Sequence, residues 1–187
     1  MRRTILASAV LFALCGSAAL GAHRQQQQSK SHAAHRSSRS AALHYLEGKL
    51  RRYEALTWRW QQLTGAHRTQ TAGRTLAVMA VPDLERTIET WQKRARAAHR
   101  VARHPPHLRA WMCIHHYEGA WNDVGGPYWG GLQMSLSFQE SYGPRLYRKK
   151  GTADHWTPLE QMWTAEKALK SRGFWPWPNT ARLCGLI

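Results

Sequence analysis

The sequence predicts a mainly helical protein in two parts: a basic helical hairpin, then a small C-terminal α+β domain. Three observations carry that prediction. Apolar residues recur at intervals of three and four from Leu43 to Leu63 and again from Leu84 to Ala98, the period of helices with one buried face. Asn, Asp, Gly and Pro cluster between Trp121 and Tyr128, which predicts a short hairpin or sharp turn among the later helices. Cys113 and Cys184 bracket most of the C-terminal part. A chain of 187 residues is long enough for one good domain with extensions rather than two full ones.

Residues 1–22 have the layout of a secretory signal peptide. Arg2 and Arg3 form a positive start, Ile5 to Leu14 an apolar core, and Ala19 to Ala22 a small-residue cleavage site. The apolar stretch is short for a membrane span, so the expected product is a secreted protein, extracellular or wall-associated, with no stable span after cleavage. Leu14 before Cys15 does not suit lipoprotein processing. Residues 23–40 are Gln, Ser, His, Ala, Arg and one Lys with no large apolar side chain, the composition of a disordered linker.

The hairpin is read over residues 41–104. Leu43, Leu46, Leu50, Tyr53, Leu56, Trp60 and Leu63 make its first stripe, and Glu47 stands four residues before Arg51 as a favourable helix pair. The second stripe, Leu84, Ile88, Trp91, Ala95 and Ala98, follows Pro82 and the first-turn acid Asp83, and His104-Pro105-Pro106 stops it. The two stripes are expected to pair with each other. Charge concentrates in the linker and hairpin together: residues 23–104 hold 16 Lys/Arg and 5 Asp/Glu, a net of +11 out of +16 for the chain, against +3 for residues 105–187. Such a surface attracts polyanions, whether nucleic acid, an acidic membrane surface or an anionic wall polymer, and export argues against nucleic acid; a merely solvated face is the plainer reading. Trp58, Trp60 and Trp91 would suit base stacking, but their helical spacing assigns them to the hairpin interior.

In the C-terminal part, Trp111, Ile114 and Glu118 lie at helical spacing, and Gly119 is a natural stop. A longer helix is expected from Thr157-Pro158, with Glu160 completing a capping box and Met162, Ala165, Ala168 and Leu169 inside. Residues 173–178 are too rich in Gly and Pro for helix. Once the signal is removed, Cys113 and Cys184 form an even pair in an exported protein, most simply a disulfide, with two free thiols as the alternative.

The run Cys113 to Ser135, CIHHYEGAWNDVGGPYWGGLQMS, carries the chemistry. The string YEGAW, then PYWGGLQMS, then WPWPNTARLC about fifty residues later resembles the catalytic core of the resuscitation-promoting factors, a transglycosylase-like branch of the lysozyme superfamily. The likeness covers residues 105–187. It implies a lysozyme-like fold, a disulfide tying the first catalytic helix to the C-terminal segment, and cleavage of the MurNAc-GlcNAc bond of peptidoglycan. It also implies Glu118 as acid and Trp121, Tyr128, Trp129 and Gln133 as substrate-binding residues. The chain departs from that family in one place. There the catalytic Glu directly follows the cysteine, in CESGGNW; here Ile114 to Tyr117 intervene, a spacing more like the Glu-Ser-x-Phe/Trp motif of soluble lytic transglycosylases. Four residues are about one helical turn, so both side chains keep one face.

Glycosidic cleavage needs a carboxylic acid able to donate to the leaving oxygen. Around Glu118 stand Tyr117, Trp121, Tyr128 and Trp129, and no Lys or Arg lies between Arg109 and Arg145. The ordinary role of a lone Glu at a helix end is a solvated surface residue; the glycine-rich turn with Gln133 favours the catalytic one. A hydrolase wants a second carboxylate, for which Asp123 and Asp154 are the candidates, each equally suited to a turn or cap. A lytic transglycosylase needs only one. A non-catalytic wall-binding or signalling module of the same fold is the alternative. His115 and His116 are adjacent and point apart on a helix, with neither HExxH nor paired CxxC present, so no metal is expected, nor any other cofactor.

Overall fold

The computed structural model describes residues 15–71 and 79–187, with side chains from Arg24 onward. The start of the signal-peptide reading, residues 1–14, and part of the inter-helix loop, residues 72–78, lie outside the described residues. Helix α1 spans Cys15–Thr64 and α2 spans Val81–Ala102. They pack side by side as the period predicts: Leu50, Leu84, Ile88 and Trp91 are buried between them, flanked by Leu43, Leu46, Tyr53 and Trp58. Trp58 meets Trp91 edge to face at 5.8 Å, and its indole N–H donates to the Thr69 carbonyl at 2.8 Å. Of the hairpin tryptophans, Trp91 is buried and Trp58 and Trp60 are half-buried against the cores.

Residues 23–40 differ from the expectation of disorder. They continue α1 as helix, exposed from Arg24 onward, with Ser29, Ser31 and Ser38 hydroxyls donating to carbonyls three residues back. Ala, Gln and Arg favour helix even where no apolar face asks for it. No helix among the described residues is long and apolar enough to cross a membrane.

The C-terminal part is built from α3 (Leu108–Glu118), a two-stranded antiparallel pair β1 (Tyr128–Trp129) and β2 (Met134–Ser135), α4 (Leu136–Tyr142), α5 (Pro144–Lys150), a 3-10 turn (Ala153–His155), α6 (Pro158–Arg172) and α7 (Pro178–Leu183). Tyr128 pairs with Ser135, and Trp129 with Met134. The expected short hairpin among helices is present. Helix α6 starts with both legs of the Thr157–Glu160 capping box, and it is buried nearly all round rather than on one face. Around it lie Trp111, Ile114, Leu132, Met134, Phe138, Trp156 and Trp177. Cys113 and Cys184 are disulfide-bonded, with Cα atoms 6.0 Å apart. Closing a loop of that length stabilises the fold by about 4 kcal/mol on the chain-entropy model.

The hairpin does not stand apart from this unit. Leu63, Ala102 and Trp163 share a small core with Trp60 and Leu159, and the Trp163 indole donates to the Ala102 carbonyl at 2.7 Å. Glu160 is the polar counterpart of that joint. Its carboxylate accepts from Lys150 Nζ at 2.6 Å and from the Thr157 N–H at 2.8 Å, and Arg59 of α1 stands 3.8 Å away. Burial pushes the Glu160 carboxyl up, but Lys150 and the two Thr157 contacts outweigh it and hold the group below its ordinary 4.5. A depressed carboxylate stabilises the fold above its unfolded value, and that contribution is lost as pH falls through the lower folded value. Glu160→Gln is therefore expected to lower stability at pH 7 by about 1–3 kcal/mol, and to flatten the loss of stability on acidification below pH 4.5. Denaturant melts of both proteins across that range check it.

Candidate active site

Trp111 and Ile114 are both fully buried, so the face of α3 they share is fixed in the core, and Glu118 follows Ile114 by one turn on that face. Its carboxyl is half-buried where the helix ends. Oε1 accepts a 2.7 Å hydrogen bond from the Thr180 hydroxyl of α7. Gly119 ends the helix at φ 145°, and a Cβ there would lie 3.3 Å from Asp123 Oδ2 and 3.6 Å from Gln133 Nε2. The residue after Glu118 thus backs directly onto a second polar pair, Asp123 and Gln133.

Gln133 adopts φ 46°, a left-handed conformation unusual for a side chain of this size. Two hydrogen bonds of its amide compensate: Nε2 donates to Asp123 Oδ2 at 2.6 Å and to the Gly130 carbonyl at 3.0 Å. Both amide protons are thereby used, which leaves the carbonyl oxygen as the acceptor open to a ligand. The preceding glycines are required by close approach. A Cβ on Gly130 would come within 2.6 Å of Gln161 Oε1, and one on Gly131 within 2.6 Å of His115 Nδ1 and 3.0 Å of the Trp121 backbone.

Trp121 is a brace as much as a platform. His115 stacks on it at 3.9 Å, and its carbonyl accepts from Gln161 Nε2 at 2.7 Å. His115 itself meets the Gly131 carbonyl through Nδ1 at 3.2 Å, so one ring ties α3 to the glycine turn. Trp129 is half-buried against the core, while Tyr128, on the other face of the strand, and Tyr117 beside Glu118 are exposed. Of the two candidate second carboxylates, Asp123 belongs to this group. Asp154 sits on the 3-10 turn, buried, with Oδ2 3.0 Å from His155 Nδ1, and shares no hydrogen bond with Glu118, Asp123 or Gln133. His116 packs against Tyr117, away from His115.

Sequence reasoning did not single out Thr180. The signal was present: Thr180 precedes Cys184 by four residues, so once Cys184 is joined to Cys113 on α3, helical spacing turns Thr180 towards the same helix. Family models, curated proteins and solved structures were compared with the chain, and none matches it.

The glycine contacts yield a paired prediction. Gly131→Ala forces His115 and Trp121 apart and is expected to lower stability by about 1–3 kcal/mol. Gly48→Ala, at a helix position with nothing within 4 Å, is expected to raise it by roughly 0.5–1 kcal/mol. Thermal melts of the two variants, read against the parent, check both signs.

Proposed function

We propose that this chain is a secreted, lysozyme-like muralytic enzyme that cleaves the MurNAc-GlcNAc bond of peptidoglycan glycan strands, with Glu118 as general acid and base. The observation that carries the reading is the setting of Glu118. It ends a helix locked into an aromatic core and has one carboxyl oxygen held by Thr180, and the next residue, Gly119, backs onto the Asp123–Gln133 pair of a glycine-rich turn. The likeness to the resuscitation-promoting factors, in YEGAW, PYWGGLQMS and WPWPNTARLC, names the substrate.

Protonated Glu118 gives its proton to the glycosidic oxygen as the C1–O bond breaks and the electron pair leaves on that oxygen. The carboxylate so formed takes the proton of the muramic acid's 6-hydroxyl, whose oxygen bonds to C1 and closes a 1,6-anhydro ring. No water is consumed and the acid is regenerated. A hydrolase would instead need a second carboxylate free to act on C1 or on water. Asp123 is bonded to Gln133 at 2.6 Å and Asp154 faces His155, which favours the non-hydrolytic route. Tyr128, Trp129 and the Gln133 carbonyl oxygen are the groups proposed to meet the sugar, with Trp121 holding the turn behind them. The basic hairpin supplies attraction to anionic wall polymers, since Arg52, Lys93, Arg96 and Arg100 lie exposed on its two helices.

Glu118→Gln keeps the shape of the side chain and removes its proton. Turnover of purified peptidoglycan is expected to fall by about 10²–10⁴-fold, with sedimentation of the protein with the insoluble wall unchanged. Mass spectrometry of the parent's digest is expected to find anhydromuramic ends; reducing ends would assign hydrolysis, and an uncleaved glycan would leave a wall-binding module.

A further inference from the structure

We propose that Thr180 is the positioning residue of Glu118, dividing the labour of its two oxygens: Oε1 is held by the Thr180 hydroxyl, and Oε2 is the oxygen that gives and takes the proton. This rests on the muralytic reading of the site.

The Thr180 hydroxyl has one proton to give. It lies 2.7 Å from Glu118 Oε1 and 3.5 Å from the Trp177 carbonyl of its own helix, so the proton is committed to the carboxyl. Thr180 is only 8% exposed, and water competes poorly there. Its place is fixed from both sides. Cys184, one turn further along α7, is bonded to Cys113, which precedes Glu118 by five residues on α3. The hydroxyl and the disulfide are therefore two clasps between the same two helices. A Glu side chain at a helix end is otherwise free to rotate, and a general acid that wanders loses its alignment with the leaving oxygen. A hydroxyl on Oε1 also serves both states of the cycle, since it donates to the carbonyl oxygen of the protonated acid and to the carboxylate that follows. The nearby groups do not duplicate it: Asp123 Oδ2 is bonded to Gln133, and His115 Nδ1 faces the Gly131 carbonyl.

The test uses the full chain with soluble glycan strands as substrate. Thr180→Val keeps the branched shape and deletes the donor; Thr180→Ser keeps the donor and deletes a methyl. Thr180→Val is expected to lower kcat by about 10- to 100-fold with KM within about twofold, while Thr180→Ser recovers most of the loss. In a Glu118→Gln background Thr180→Val is expected to cost nothing further, because the group it positions no longer carries a proton. NMR relaxation at Glu118 Cγ supplies a readout that does not depend on turnover: order is expected to fall in Thr180→Val and to return in Thr180→Ser. Unchanged kcat and unchanged order in Thr180→Val would overturn the proposal, as would a Ser variant as impaired as Val. A parent protein with no glycan cleavage would sink the enzymatic reading instead, and the order measurement would still decide whether Thr180 holds Glu118.

Discussion

The orientation of α3 is the constraint on which the C-terminal unit depends. An eleven-residue helix is too short to persist alone, so its geometry comes from its anchors. At its start, Glu166 Oε1 accepts from the His107 N–H and the Trp111 indole N–H, both at 2.8 Å, and Oε2 lies 3.0 Å from His107 Nδ1. A buried carboxylate at a helix N-terminus also meets the positive end of the helix dipole. In the middle, Trp111 packs between Phe174 and Trp177, and Cys113 is bonded to Cys184. At its end stands Thr180. Every one of these anchors comes from residues 166–184, so the final stretch of the chain determines where Glu118 points.

This arrangement explains the polar interior of α6. A helix buried nearly all round would ordinarily be apolar, yet α6 buries Glu160, Gln161, Thr164 and Glu166. Each has work inside. Gln161 Nε2 is within reach of three carbonyls, those of Trp121, Ala153 and Trp156; the Ala153 carbonyl also accepts the Trp156 N–H at 3.0 Å. The loop that carries Trp121 and the turn before α6 are thus held to the core through one amide. Replacing it with an apolar side chain of similar volume would strand the Trp121 and Trp156 carbonyls, and each buried unsatisfied group costs about 1–3 kcal/mol. The glycine turn inherits this order, because Gly130 packs directly on Gln161 and Gly131 on Trp121.

Much of this was legible in residue order, and the remainder was not for identifiable reasons. Apolar period found α2 and the packed half of α1; Gly119, Thr157 and Glu160 marked helix ends because their effects are local. The hairpin's docking on α6 was missed, although Trp163 and Leu159 lie off the stripe of Met162, Ala165 and Leu169 and called for a second partner. The helical course of residues 23–40 escaped a reading based on burial, since nothing is buried there. At the site, Glu118, Asp123 and Gln133 were singled out from local pattern; the structure joins Asp123 to Gln133 and sets Gly119, the residue after Glu118, against that pair. Thr180 and Glu166 act across 62 and 59 residues, a distance over which one sequence carries no pairing information except through the cysteines.

The joint between the two parts bears on how the basic hairpin and the acid relate. A surface that only adhered to polyanions would need no fixed geometry, and a flexible linker would serve it. Instead Trp163 of α6 donates to the last carbonyl of α2, and Arg59 of α1 approaches the Glu160 carboxylate that caps α6. Helix α6 in turn holds α3 through Glu166. A path of direct contacts therefore runs from the cationic hairpin through α6 to the helix that ends in Glu118. In the muralytic reading, polymer held by the hairpin meets the glycan-cleaving group at a set distance and orientation rather than at random. Attraction to the wall then contributes alignment as well as local concentration, the condition under which binding far from the scissile bond assists the chemistry.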